Sequence, residues 1–355
     1  MYYTSHDSLL RQFDKGGKLA FRAENTAEFN AWRQEARREL ARVMGFAQME
    51  PCDLAPRMLE AVPMDGYERQ KWLIQTEPEV WMPFYLLVPD GIVPGARRPA
   101  VLAFHGHVSG GKYAVCGITE MPGVAKTIAD YNYSYGVEFA KRGFLVFSPD
   151  ARGFGERREK PQQGEDEAHM LKNCCQQLHN MGIPLGRTVA GMMAWDNMRL
   201  LDFAAAHEAV DTARIGCAGL SGGGMQSLYL AALDDRIAAA VTSGYFYGFR
   251  NALLEGFGHC SCNFIPGLYN LLDAGDLGAA IAPRPFMVET GTADPCNGSE
   301  GLANVTSQAS VTRAAYTVFG AEAAFSHMIY EGGHKWYGVD SYDFMQKALL
   351  KSAAV

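Results

Sequence analysis

The stretch from Arg214 to Leu233 reads RIGCAGLSGGGMQSLYLAAL. An apolar run ends in Gly219-Leu220-Ser221-Gly222-Gly223, after which Met225, Leu228 and Ala232 continue at helical spacing. This is the pattern of a strand feeding a helix through one sharp turn with a serine at its tip. The flanking glycines fit because a Cβ would clash in so tight a bend. Such a turn lifts the Ser221 hydroxyl clear of a sheet. It also places the Gly222 N–H at a helix N-terminus, where the dipole favours negative charge.

Outward from this turn, short apolar runs alternate with helical segments. PAVLAFHG (from Pro99), GFLVFSPD (from Gly143), RIAAAVTSGYF (from Arg236), RPFMVETG (from Arg284) and FSHMIYEGG (from Phe325) read as strands. They are near-continuously apolar, as a sheet covered on both faces requires. Val189, Met192, Met193, Leu200, Leu201 and Ala204 mark one face of an intervening helix, and Tyr342, Met345 and Leu349 mark another. The alternation predicts an α/β chain with a mostly parallel, doubly wound sheet. KWLIQTEP and VWMPFYLLVP, joined by a short acidic turn, add an antiparallel pair before it. The first sixty residues read as helical: Asn25 and Glu28 have capping-box spacing, Phe29, Trp32, Ala36, Leu40 and Val43 recur at helical spacing, and Gly45 marks a stop. Residues 1–64 are therefore expected to form a helical extension and 65–355 the main domain. Two segments, about 156–185 and 247–278, break the alternation and are expected to roof a pocket at the carboxyl edge of the sheet.

Composition narrows the function classes. The 355 residues carry 32 Lys and Arg against 39 Asp and Glu, a net charge of −7, which argues against a nucleic-acid binder. No apolar stretch approaches the roughly 18 residues of a membrane span. The start of the chain lacks a basic segment followed by an apolar one, so a cytoplasmic protein with no membrane partner is expected. Eight cysteines are too few for a disulfide scaffold and are expected to be reduced, mostly buried thiols.

Ser221 needs a base, and in this architecture the order along the chain is serine, acid, histidine. His327 lies inside an apolar strand, whereas His334 follows Gly332-Gly333 beyond that strand's end and is the expected base. Asp294, in the loop leaving RPFMVETG, is the expected acid, with Glu289 at the same strand end as its rival. A second oxyanion donor is expected from the loop after PAVLAF, at the N–H of His107 beside Gly106. Arg152 is expected to pair with a carboxylate such as Asp150 or to orient a polar substrate. Tyr245 and Trp336 are candidate walls of the substrate pocket.

No metal and no cofactor are expected. His105 and His107 are two imidazoles with no evident third ligand. His259, Cys260 and Cys262, with Cys174, Cys175 and His179 as further donors, have incomplete zinc spacing and read as unligated thiols under the roof.

At these residues the chain resembles the α/β-hydrolase superfamily, in its dienelactone-hydrolase-like and acetyl-xylan-esterase-like branch. The motifs are HGHVSGGK (His105 to Lys112), DARGFGE (Asp150 to Glu156), GLSGGG (Gly219 to Gly224), APRPFMVETGTADP (Ala282 to Pro295) and EGGHKW (Glu331 to Trp336). The resemblance implies a Ser221, Asp294, His334 triad, an oxyanion hole at the Gly222 and His107 amides, and hydrolysis of a small-molecule or carbohydrate ester, often a sugar acetate. Dienelactone hydrolases carry a cysteine where this chain has Ser221. A serine peptidase, a thioesterase on the same triad, a non-catalytic binding protein and a homo-oligomer all stay open at this point.

Overall fold

Along the strand entering the HGH loop, Leu102 and Phe104 turn to one face of the sheet while Val101 and Ala103 turn to the other, and all four are fully buried. A strand apolar at every position is stable only with packing on both sides. The computed structural model, which describes residues 2–93, 95–255 and 258–350, has that arrangement. The strands are β1 (Arg57–Pro63), β2 (Tyr67–Glu77), β3 (Val80–Pro89), β4 (Arg98–Phe104), β5 (Leu145–Pro149), β6 (Val210–Leu220), β7 (Ile237–Ser243), β8 (Phe286–Gly291) and β9 (Phe325–Tyr330). They form one nine-stranded sheet in the order β1-β2-β3-β5-β4-β6-β7-β8-β9. β4 to β9 pair in parallel, and β1, β2 and β3 add antiparallel neighbours at one side. This is the α/β-hydrolase fold.

The N-terminal helix Thr26–Met44 begins where expected. The Asn25 side chain accepts from the Glu28 N–H at 3.0 Å, and the Glu28 carboxylate accepts from the Glu24 N–H. It ends at Gly45, whose φ of 84° is left-handed. Its Phe29, Ala36, Leu40 and Met44 are buried in the same apolar cluster as Leu102 and Phe104. Arg37 anchors it further, donating to both Asp235 carboxylate oxygens and to the Ala232 carbonyl. β1 was not anticipated by a helical reading of the first sixty residues. Its side chains are almost all exposed, so no alternating pattern marks it. The expected boundary at residue 65 falls between β1 and β2, which are hydrogen-bonded neighbours.

The two irregular segments lie against each other at the carboxyl edge. Ser261 of the second donates to the Gln176 side chain of the first at 3.0 Å. No helix among the described residues is long and apolar enough to cross a membrane.

Candidate active site

The strand–turn–helix around Ser221 is held by contacts that only glycine permits. A Cβ on Gly223 would meet the Phe104 carbonyl oxygen at 1.9 Å, and one on Gly219 would meet the Gly223 backbone at 2.5 Å. The chain therefore packs the elbow helix Gly222–Leu233 directly onto β4 and β6. Ser221 sits at φ 61°, ψ −120°, outside the ordinary regions for a residue with a side chain. Its N–H donates to the Ser243 carbonyl at 2.8 Å, which holds the strained turn in place. Backbone strain of this kind costs on the order of 1–3 kcal/mol and is retained where a side chain must be presented. Gly222 is the first helical residue, so its N–H has no intrahelical acceptor.

His334 and Asp294 come together, Nδ1 to Oδ2 at 2.8 Å. Asp294 is buried, and its other oxygen accepts from the Cys296 N–H at 2.8 Å. The imidazole lies against Gly244: a Cβ there would meet His334 Cε1 at 2.8 Å and Leu220 Cδ1 at 3.2 Å. Burial pulls the His334 pKa down, but hydrogen bonds and charge from Asp294 and Cys296 outweigh it and raise the value from 6.5 to about 10. Glu289 has a different task. Buried beneath the loop, it accepts from the Gly338 N–H at 3.0 Å and from the Ser341 hydroxyl, holding the helix that follows His334. Desolvation raises its pKa.

A cavity of about 300 Å³ opens over Ser221, lined by His107, Gly222, Tyr245, Tyr247, His259 and Cys296 among others. Its size falls at the small end of ligand sites. The second roof segment supplies Gly258 to Cys260 and Asn263, whereas the first supplies none of the lining and braces the second from behind. His107, Gly222 and Tyr245 thus surround Ser221. Cys296 was not singled out from the sequence; its only signal was its place two residues beyond Asp294.

Trp336 and Arg152 lie elsewhere. Trp336 is fully buried, its ring 4.5 Å from that of Tyr135 and its indole N–H donating to Tyr342 at 3.0 Å. A side chain two residues past His334 turns back into the core rather than toward the cavity. Arg152 is buried in an ion-pair network with Asp196 and Glu77, not with Asp150. Arg157 also pairs with Asp196, and these two guanidinium neighbours overcome desolvation to hold the Asp196 carboxyl well below its usual range. Asp150 instead pairs with the buried Lys112 at 2.6 Å and accepts its N–H, tying the HGH loop to the DARGFGE loop. Arg152 borders a separate cavity of about 570 Å³ that shares no lining residue with that over Ser221. His105 is likewise committed: Nε2 accepts from the Ala151 N–H at 3.0 Å, and burial lowers its pKa to about 4.

The thiols are arranged differently from their spacing in the sequence. Cys260 and Cys262 converge not with His259 and His179 but with Cys175 and His107, all four ligand atoms lying within 4.8 Å of one another.

Known proteins share this architecture. A candidate hydrolase of Bacillus subtilis strain 168, YtaP, is 27% identical over 285 residues, covering 76% of this chain and 84% of that protein. Among solved structures, a candidate acetyl xylan esterase of Bacteroides fragilis superposes with a TM-score of 0.76 at 21% identity, covering 94% of this chain and 83% of its own. A glucuronoyl esterase of Solibacter usitatus superposes at 0.69 with 15% identity, covering 94% and 96%. Residues 5–298 match the profile of the Abhydrolase family, and the chain belongs to that family.

Proposed function

We propose that the protein is a serine carboxylic-ester hydrolase that cleaves a short-acyl ester, with an acetylated carbohydrate as the substrate class. The observation that supports this reading is the His334–Asp294 pair, Nδ1 to Oδ2 at 2.8 Å, with the imidazole against Gly244 and Ser221 presented on its strained turn next to the same strand end. With Asp294 accepting from Nδ1–H, Nε2 carries the lone pair that takes the Ser221 proton. The Ser221 Oγ attacks the acyl carbon and the carbonyl π-electrons move onto oxygen. The amides of Gly222 and His107 hold that oxyanion, each donor contributing about 3 kcal/mol to the transition state. As the tetrahedral species collapses, the C–O bond to the alcohol breaks and the imidazolium protonates the leaving oxygen. Water, deprotonated by His334, then attacks the acyl-enzyme and releases the acid and free Ser221.

The small cavity and its roof favour an acetyl-sized group over a long chain. The carbohydrate side draws on the structural relatives, which are named for acetyl groups on xylan and for glucuronoyl esters. The test is a panel of acetylated sugars, p-nitrophenyl acetate and octanoate, thioesters and peptide amides, run beside Ser221→Ala. Acetate esters should turn over fastest, and Ser221→Ala should lose a factor of ~10³ or more while staying folded. A Ser221→Ala protein that keeps most of its activity refutes the mechanism. Octanoate hydrolysed faster than acetate refutes the acyl specificity.

A further inference from the structure

We infer that His107, Cys175, Cys260 and Cys262 form a closed zinc site that clamps the two roof segments to the loop beside Ser221. The assignment does not depend on the esterase reading.

The four donors arrive from three separate parts of the chain. His107 follows β4, Cys175 opens the helix Cys175–Gly182 in the first roof segment, and Cys260 and Cys262 flank Ser261 in the second. Cys175 and Cys262 are fully buried, and all eight cysteines are free thiols. Cys262 Sγ is already 3.6 Å from His107 Nε2. A tetrahedral zinc with Zn–S near 2.3 Å and Zn–N near 2.0 Å needs ligand-to-ligand edges of about 3.5–3.8 Å. The four atoms, none more than 4.8 Å from another, reach that geometry by closing in by about 1.3 Å at most.

The donor set selects the metal. Three sulfurs and one imidazole, with no carboxylate or carbonyl oxygen among them, suit zinc rather than magnesium or calcium. Four protein ligands leave no open position for water, so the site is structural and not a second hydrolytic centre. The surroundings fit a charged sulfur. The Asn263 side-chain N–H donates to Cys262 Sγ at 3.7 Å. Outer donors of this kind orient thiolate ligands. Three thiols thus converge on one imidazole.

Ligation through Nε2 would leave the proton of His107 on Nδ1, the atom that faces Gly222. The clamp would therefore position the loop that carries the expected oxyanion donor, and His107 serves through its side chain as a positioning residue.

The test uses the full chain, expressed in zinc-supplemented medium, purified under reducing conditions and dialysed. Elemental analysis should find about one zinc per chain, lost in Cys175→Ser and Cys260→Ser and kept in Cys52→Ser and Cys174→Ser. Stripped wild-type protein titrated with Co²⁺ should develop thiolate-to-cobalt charge transfer and the intense visible bands of a tetrahedral centre, saturating at a one-to-one ratio. That spectrum supports the site even if the protein is isolated without zinc, and it does not require any variant to fold. Absence of thiolate charge transfer with Co²⁺ overturns the proposal. So does a zinc content unchanged in the Cys175 and Cys260 variants.

Discussion

Gly244→Ala tests the placement of His334 without touching any group proposed to react. Gly244 has φ +59°, and the added methyl carbon would sit 2.8 Å from His334 Cε1, 3.0 Å from Nδ1 and 3.2 Å from Leu220 Cδ1. Ordinary contact begins at 3.4 Å, so something must retreat by about 0.6 Å. The backbone is the stiffer partner: Gly244 N–H donates to the Glu289 carbonyl at 3.1 Å, and the preceding carbonyl accepts from Ser221. The imidazole is therefore the group displaced. A displacement approaching 1 Å at a reacting group costs up to about 100-fold in rate. We expect kcat/KM on p-nitrophenyl acetate to fall roughly 30- to 100-fold, about 2–3 kcal/mol of transition-state stabilisation. The left-handed backbone adds a stability cost of about 1–2 kcal/mol. Gly320→Ala is the control, since it has φ +62° and nothing within 4 Å, and so bears the same backbone strain with no clash. Steady-state kinetics and thermal melts on both variants separate the two effects. A folded Gly244→Ala enzyme within threefold of wild type would show that His334 does not transfer the proton.

Two further outcomes follow from the same geometry. Asp294→Asn should lose far more kcat than Glu289→Gln, because Asp294 holds the imidazole while Glu289 holds the following helix; the reverse ordering would reassign the acid. His334 is pushed from 6.5 to about 10, and it must be neutral to accept a proton, so kcat/KM should rise with pH with an apparent pKa above 6.5. Cys296→Ala should lower that midpoint, and a wild-type midpoint at or below 6.5 would refute the pairing. The sign for stability is opposite: a raised histidine pKa stabilises the fold fully below about 6.5 and loses that contribution as pH climbs through about 10.

The elbow is legible in sequence because its residue pattern is local. Strand, glycines, serine and helix occupy twenty consecutive residues, although the tightest clash that demands Gly223 comes from Phe104 on β4, far away in the chain. The central parallel strands are legible for a related reason, since burial on both faces selects near-continuous apolar runs such as those of β4 and β5. The pairing of His334 with Asp294 follows from chain order together with glycine-flanked loops at strand ends. Where side chains point is another matter. Trp336 lies two residues from His334 yet packs in the core, and Arg152 finds Asp196 and Glu77 from other elements rather than Asp150 nearby. β1 leaves no periodic trace because its exposed edge imposes no alternation.

The thiol cluster shows the division most clearly. Sequence spacing encodes only neighbours, and by spacing His259 belongs with Cys260 and Cys262. Tertiary packing brings His107 and Cys175 to them instead, because both roof segments fold back over the loop after β4. The amino-acid order thus determined the turn that carries Ser221 and the layered sheet, which sterics and burial dictate. The convergence of distant segments decided the cavity, the ion-pair partners and the four-ligand cluster, since no short-range rule specifies which loops will meet.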